Sequence, residues 1–172
     1  MFASALTDGT TMIQHWLDAV RRNHALEHAT VAVLLARRGP MRLAGRASGD
    51  GFFILGNIDE AELTESANEA LRRLQRGESS LAVSPLCGTN IAVAGLMAAA
   101  AATGTLAVGR EQGGRFGNAF AAAMLAVVAA QPVGRLVQQY VTTRADLDAV
   151  EVVGTTSVFG SLKKVHTRET GA

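Results

Sequence analysis

Two histidines and a carboxylate fall within the stretch Asn23-His24-Ala25-Leu26-Glu27-His28-Ala29-Thr30. On a helix, His24 and His28 stand one above the other at i and i+4, and Glu27, at i+3 from His24, joins the same side. The order His-x-x-Glu-His is the reversed form of the zincin pattern, in which the imidazoles hold zinc and the Glu serves as general base on a water bound to it. The bland reading of the same residues is a polar helix face whose histidines pair with Glu27. A third ligand elsewhere in the chain decides between the two.

Cys87 is the strongest candidate for that ligand. Ser84-Pro85-Leu86-Cys87-Gly88-Thr89-Asn90 precedes a long apolar run; Gly88 relaxes the backbone beside the thiol, and Thr89 or Asn90 suits a helix start. A helix N-terminus lowers a thiol pKa and favours the thiolate a metal requires. Two His and one Cys leave the fourth tetrahedral position to water, the open arrangement of a catalytic zinc. Taken alone, Cys87 is equally a small buried apolar residue. His166 is the second choice, on a terminal strand that would fold back over the first helix. Reversed zincins draw on a distant Glu, so Glu60, Glu62, Glu65 and Glu69 are further candidates, while Glu111 falls across the membrane in the topology derived below. His15, nine residues before His24, faces nearly the opposite way and stays outside the site. Asp146 and Asp148 read as turn residues. There is no P-loop, dinucleotide fingerprint or nucleophile elbow.

The elements that must position these residues follow from periodicity. Residues 1–9 are small and polar and read as a disordered start. From about Thr10, Met12, Ile13, Trp16, Leu17, Val20, Leu26, Val31, Leu34 and Leu35 recur at helical spacing up to Gly39-Pro40. Residues 42–47 and 51–57 form a β-hairpin around Ser48-Gly49-Asp50. Asp59 then caps an amphipathic helix with Glu60 and Glu62 in its first turn, Arg72, Arg73 and Arg76 in its last, and Gly77 at its end. Residues 79–83 read as a third strand, and 150–153 and 158–165 as strands that rejoin the sheet. The result is an α+β layer.

Between Glu78 and Arg110 no residue is charged, and Ile91–Val108 is long enough to span a bilayer. A second uncharged run lies between Arg115 and Arg135 and continues as helix through Pro132 to about Tyr140. Both runs are alanine-rich, which permits either close helix packing in lipid or burial in a soluble core; the membrane hairpin is the favoured reading. Lys and Arg concentrate before Ile91 and after Gln131, so the positive-inside rule places both termini and the polar part in the cytoplasm, at the inner membrane. The connection at 109–114 carries Arg110 and Glu111.

Charge and cysteine content limit the function classes. The 172-residue chain has a net charge of +1 and 5% aromatics, which argues against a nucleic-acid partner. Its mean hydropathy of +0.19 is high for a soluble domain. A single cysteine excludes an internal disulfide and fits a reducing compartment. No signal peptide is evident. The partners implied are the lipid bilayer and a substrate of unknown identity, and a homo-oligomer is compatible with the packing.

The pairing of His24-Ala25-Leu26-Glu27-His28-Ala29-Thr30 with Pro85-Leu86-Cys87-Gly88-Thr89-Asn90 resembles uncharacterised bacterial membrane-protein families, domains of unknown function described as metal-dependent enzymes. One of them carries His-Gly-Ala-Glu-His-Lys followed downstream by Pro-Arg-Cys-Gly-Thr; this chain has Ala29 and Leu86 where that family has its two cations. A closer one has the form Asn-His-x-x-Glu-His-Ala-Thr and covers most of the chain. The resemblance implies a metal site from His24, His28 and Cys87 with Glu27 as acid or base. The expected organisation is an N-terminal α+β part (1–87), a transmembrane hairpin (88–141) and C-terminal strands (142–172). The expected function is a membrane-anchored, zinc-dependent, peptidase-like hydrolase. The alternative is a non-catalytic membrane subunit with a structural metal or polar cluster.

Overall fold

Gly39 and Gly77 mark where the first two helices must stop, and both adopt left-handed backbone conformations, with φ of 80° and 91°. The computed structural model describes residues 2–108 and 114–170, with side chains described from Thr11 onward. The expected connection at 109–114 lies, apart from Gly114, outside the described residues. Helix α1 runs Phe2–Arg38, so the chain is already helical where a disordered start was expected. The strands β1 (Ala44–Ser48) and β2 (Gly51–Leu55) form the hairpin. Helix α2 spans Glu60–Gln75; Asp59 precedes it in an extended conformation, but its side chain makes no capping hydrogen bond.

Residues 79–82 correct the sequence reading, because they form a 3-10 turn and not a third strand. Its amides turn back on the chain, Leu81 N–H on Glu78 O at 3.1 Å and Val83 N–H on Ser80 O at 3.3 Å, and so are not offered to a sheet ladder. Helices α3 (Gly88–Val108) and α4 (Arg115–Val137) follow, then a π-turn at Gln138–Thr142. The last strands differ from the expected 150–153 and 158–165: β3 extends over Val150–Phe159, the turn at Gly160-Ser161 falls inside the second expected strand, and β4 covers Leu162–Glu169. All four strands are antiparallel in the order β1-β2-β4-β3. The fold is α+β.

The chain divides into two compact units, Met1–Val83 with Thr142–Ala172, and Ser84–Val141. In the first, one stripe of α1 (Leu26, Ala29, Val33, Leu34) packs with Leu63, Ala67 and Leu71 of α2 over Phe52, Ile54 and Val165 of the sheet. These side chains are essentially inaccessible to water, and each large one contributes about 1.5–3 kcal/mol of burial free energy. Asn23 ties α1 to the hairpin: its Nδ2 donates to Ser48 O at 2.8 Å, and its Oδ1 accepts from the Thr167 hydroxyl at 2.7 Å.

In the second unit, α3 and α4 pack as neighbours. Their 18-residue windows have mean hydropathies of 1.9 and 1.7, and 0% and 11% of those windows is buried. They therefore do not form the buried Ala-rich core of a soluble domain: Leu96, Phe116, Leu125 and Val128 face outward. Both helices are long and apolar enough to cross a membrane; at about 1.5 Å per residue, α3 reaches roughly 31 Å, matching the hydrocarbon thickness. The two hydroxyls in α3 are satisfied inside the helix, Thr103 donating to Ala99 O at 2.8 Å and Thr105 to Ala101 O at 2.7 Å. At the head of α4, the Arg115 guanidinium donates to Leu106 O, a carbonyl in the last turn of α3.

Candidate metal centre

The α1 helix brings the two imidazoles together as the i, i+4 spacing requires, with ring centroids 4.4 Å apart and planes tilted by 59°. Each ring is held through the same atom. His24 Nδ1 lies 2.9 Å from Thr142 O, and His28 Nδ1 lies 2.8 Å from Ala82 O. A carbonyl can only accept, so Nδ1–H is the donor in both rings, which leaves Nε2 as the nitrogen that could bind a metal. This is the orienting contact that metal-bound histidines commonly make.

Cys87 is buried and precedes α3 directly. The Thr89 amide donates to its Sγ at 3.4 Å. The loop carrying the thiol is fixed by an amide network: Gln138 Oε1 accepts from the Ser84 N–H at 2.9 Å, Gln138 Nε2 donates to Asn90 Oδ1 at 2.8 Å, and Asn90 Nδ2 donates to the carbonyls of Ser84 and Pro85. Gln138 is 0% exposed, so the network is shielded from water and strongly position-dependent. Gly134 makes room for it, since a Cβ there would overlap the Asn90 amide. In the sequence Asn90 reads as a helix-start residue and not as a partner of Gln138, and Gln138 does not stand out, because an amide in an apolar helix gives no periodic signal.

His24, His28 and Cys87 are a group of side chains that could hold a metal ion. Two imidazole nitrogens and a thiolate are a donor set suited to zinc among the divalent ions.

Glu27, 7% exposed, fills a space that a glycine leaves for it. A Cβ built on Gly45 of β1 would collide with the Glu27 carboxylate. Gly45 was not singled out from the sequence, where it reads as one small residue in a short strand.

The other candidate ligands are engaged elsewhere. His166 Nε2 pairs with the Thr156 hydroxyl at 2.9 Å. Glu60 accepts from the Ser157 amide at 2.9 Å, Glu62 pairs with Arg38 at 2.7 Å, and Glu65 and Glu69 pair with Arg37 at 3.1 and 2.5 Å. His15 is exposed, and Glu111 lies outside the described residues. Asp146 belongs to an ion cluster with Arg144 at 2.7 Å and Arg22 at 3.4 Å. Burial pushes the Asp146 carboxyl up, but the Arg144 hydrogen bonds and the Arg22 charge outweigh it and hold the group below its ordinary range.

No solved structure matches the chain. An uncharacterized protein of Picosynechococcus sp. is 38% identical to it over 140 residues, covering 75% of this chain and 68% of the relative. The profile of a domain of unknown function, DUF6391, matches residues 19–155, which include α1 from its middle, the Cys87 loop and both apolar helices. The chain belongs to the DUF6391 family.

Proposed function

We propose that this protein is a membrane-anchored, zinc-dependent hydrolase of peptidase-like type, with His24, His28 and Cys87 as metal ligands and Glu27 as the acid–base residue. The observation that carries the reading is the matched fixing of both imidazoles through Nδ1 to main-chain carbonyls, which leaves the two Nε2 lone pairs as donor atoms on one helix face. A zinc ion in such a set supplies Lewis acidity and lowers the pKa of water toward neutrality. Glu27 then takes a proton from the attacking water and returns it to the leaving group. Helices α3 and α4 anchor the chain in the inner membrane with both termini in the cytoplasm, as the distribution of Lys and Arg favours. The bilayer is thus a standing partner, self-association through the small-residue helices is compatible with the reading, and nucleic acid plays no part.

A non-catalytic role has one specific observation in its favour: the Glu27 carboxylate is packed against Gly45 instead of standing in open solvent. In that second reading zinc clamps the chain and Glu27 is a packing residue.

Metal analysis of the detergent-purified chain tests the first step, with about one zinc per chain expected and none in His24→Ala/His28→Ala. Glu27→Gln tests the second. N-terminal peptide profiling of cells carrying wild type or Glu27→Gln should show cleavage products that only the wild type generates. Retained zinc with identical profiles favours the structural reading, while absence of any transition metal removes the hydrolase and the structural metal and leaves a non-catalytic polar cluster.

A further inference from the structure

The two edges of the sheet are treated differently. The β3 edge is closed: register shifts between Val152 and Gly154 and between Ser157 and Phe159 break it, and α2 occupies its backbone, with Glu60 accepting from the Ser157 amide at 2.9 Å. Bulges and covering contacts of this kind prevent a sheet edge from recruiting another strand. The β1 edge has no register shift, and α1 reaches its backbone at the hairpin end, where the Asn23 side-chain amide donates to Ser48 O at 2.8 Å. Its register with β2 is unbroken from Ala44 to Ser48, and no strand faces its other side among the described residues.

Register identifies which β1 groups face outward. The Gly56 amide donates to Ser161 O and the Thr167 amide to Asp50 O, so even-numbered residues along β2 direct their backbone groups to β4. The odd-numbered residues Gly51, Phe53 and Leu55 therefore bond to Ser48, Arg46 and Ala44. In an antiparallel pair the remaining residues point the other way. Gly45 and Ala47 thus present their N–H and C=O groups along the open edge.

A groove of about 680 Å3 runs beside this edge, with Trp16 and Val20 of α1 on one side and Phe53, Leu55 and Leu162 on the other. Trp16 is 59% exposed there. Arg46, exposed on β1 and lining the groove, forms no ion pair among the described residues.

We infer that β1 is a docking edge for an extended, largely apolar polypeptide segment bearing an acidic group. The segment adds as an outer strand on the main-chain groups of Gly45 and Ala47, sets alternate side chains in the groove, and pairs its carboxylate with Arg46. Two features favour a polypeptide over a lipid chain: a lipid would use the apolar walls but leave the row of backbone donors and acceptors unmatched, whereas a strand satisfies both. The inference rests on the hydrolase reading only in making the docked segment a substrate. Gly45 is also the residue over which the Glu27 carboxylate sits, so a strand on this edge runs past the proposed acid–base residue.

Fluorescence anisotropy on the full chain in detergent micelles tests it, with fluorescein-labelled Ser-Val-Thr-Val-Thr-Val-Thr-Val-Asp as probe and the same peptide N-methylated at every internal residue, so that neither side of the strand can donate, as control. The methylated peptide keeps its apolar surface but cannot pair with an edge, and it should bind about tenfold more weakly or worse. Trp16→Ala should weaken the unmodified peptide about fivefold; should that variant not fold, amide exchange at Gly45 and Ala47 in the wild type should slow about tenfold when the peptide is added. Equal binding of both peptides, or displacement of the unmodified peptide by anionic phospholipid added in mixed micelles, identifies an apolar or lipid site and overturns the inference, as does absence of binding. The measurement needs neither metal nor turnover. Peptide binding without zinc leaves the docking edge standing and removes the hydrolase, while zinc without peptide binding removes the docking edge alone.

Discussion

His28 donates its Nδ1–H to the carbonyl of Ala82 at 2.8 Å. The bond makes the 3-10 turn at Ser79–Ala82 the support of a ligand, and it explains why that segment is a turn: a strand would direct the Ala82 carbonyl into a ladder, not at an imidazole.

Removing a ligand should be read through the metal. In cobalt-substituted protein, a thiolate-to-metal charge-transfer band is expected for the wild type and should vanish in Cys87→Ser, while His28→Ala should abolish stoichiometric binding. A band that persists in Cys87→Ser would remove Cys87 from the site.

Gln138→Leu should leave the Ser84 amide and the Asn90 carbonyl oxygen unmatched in a dry environment. A loss of about 1–3 kcal/mol per orphaned group is expected, with zinc affinity falling by about 10–100-fold because the Cys87 loop loses its support. Thermal unfolding and competition with a zinc chelator measure the two effects separately.

Gly45→Ala places a methyl group where the Glu27 carboxylate sits. Overpacking of this kind costs about 1–3 kcal/mol. Glu27→Ala vacates the space, so the penalty of Gly45→Ala should shrink in the double variant. A double-mutant cycle with additive effects would show that the two residues do not share the space.

Acid should destabilise the unit formed by α1, α2 and the sheet. The Lys164 ammonium and the Ser48 hydroxyl hold the Asp50 carboxyl below its ordinary range, and Asp146 is held down by Arg144 and Arg22 against the effect of burial. A carboxylate with a depressed folded-state pKa stabilises the fold above its unfolded pKa and loses that contribution as pH falls through the folded one. Melting temperature should therefore be level near neutrality and drop below about pH 4. Asp146→Asn should lower the plateau and flatten the drop.

Much of the frame was legible because local chemistry and tertiary structure agree. Ser48-Gly49-Asp50-Gly51 is turn chemistry between two apolar runs, and Gly39-Pro40 and Gly77 end helices for backbone reasons that no packing can override. The strand assigned to residues 79–83 failed because five residues of strand-like composition carry no information about the bond His28 makes. Strand β3 was read short because Gly154-Thr155-Thr156-Ser157 is polar, although Thr favours strands and the bulges keep its register. His24, Glu27, His28 and Cys87 stood out by residue type. Gly45 and Gln138 did not, and Asn90 reads only as a helix-start residue, since what they do depends on which neighbour a fold supplies.

The groove beside β1 has a spectroscopic consequence. Trp16 is the only tryptophan in the chain and lies against Gly49, at the hairpin turn, with its indole partly open to solvent. Emission from the unlabelled protein therefore comes from one chromophore at one place. A strand laid along the edge would dehydrate that indole and shift its emission to the blue, so the protein reports occupancy of its own groove without a dye.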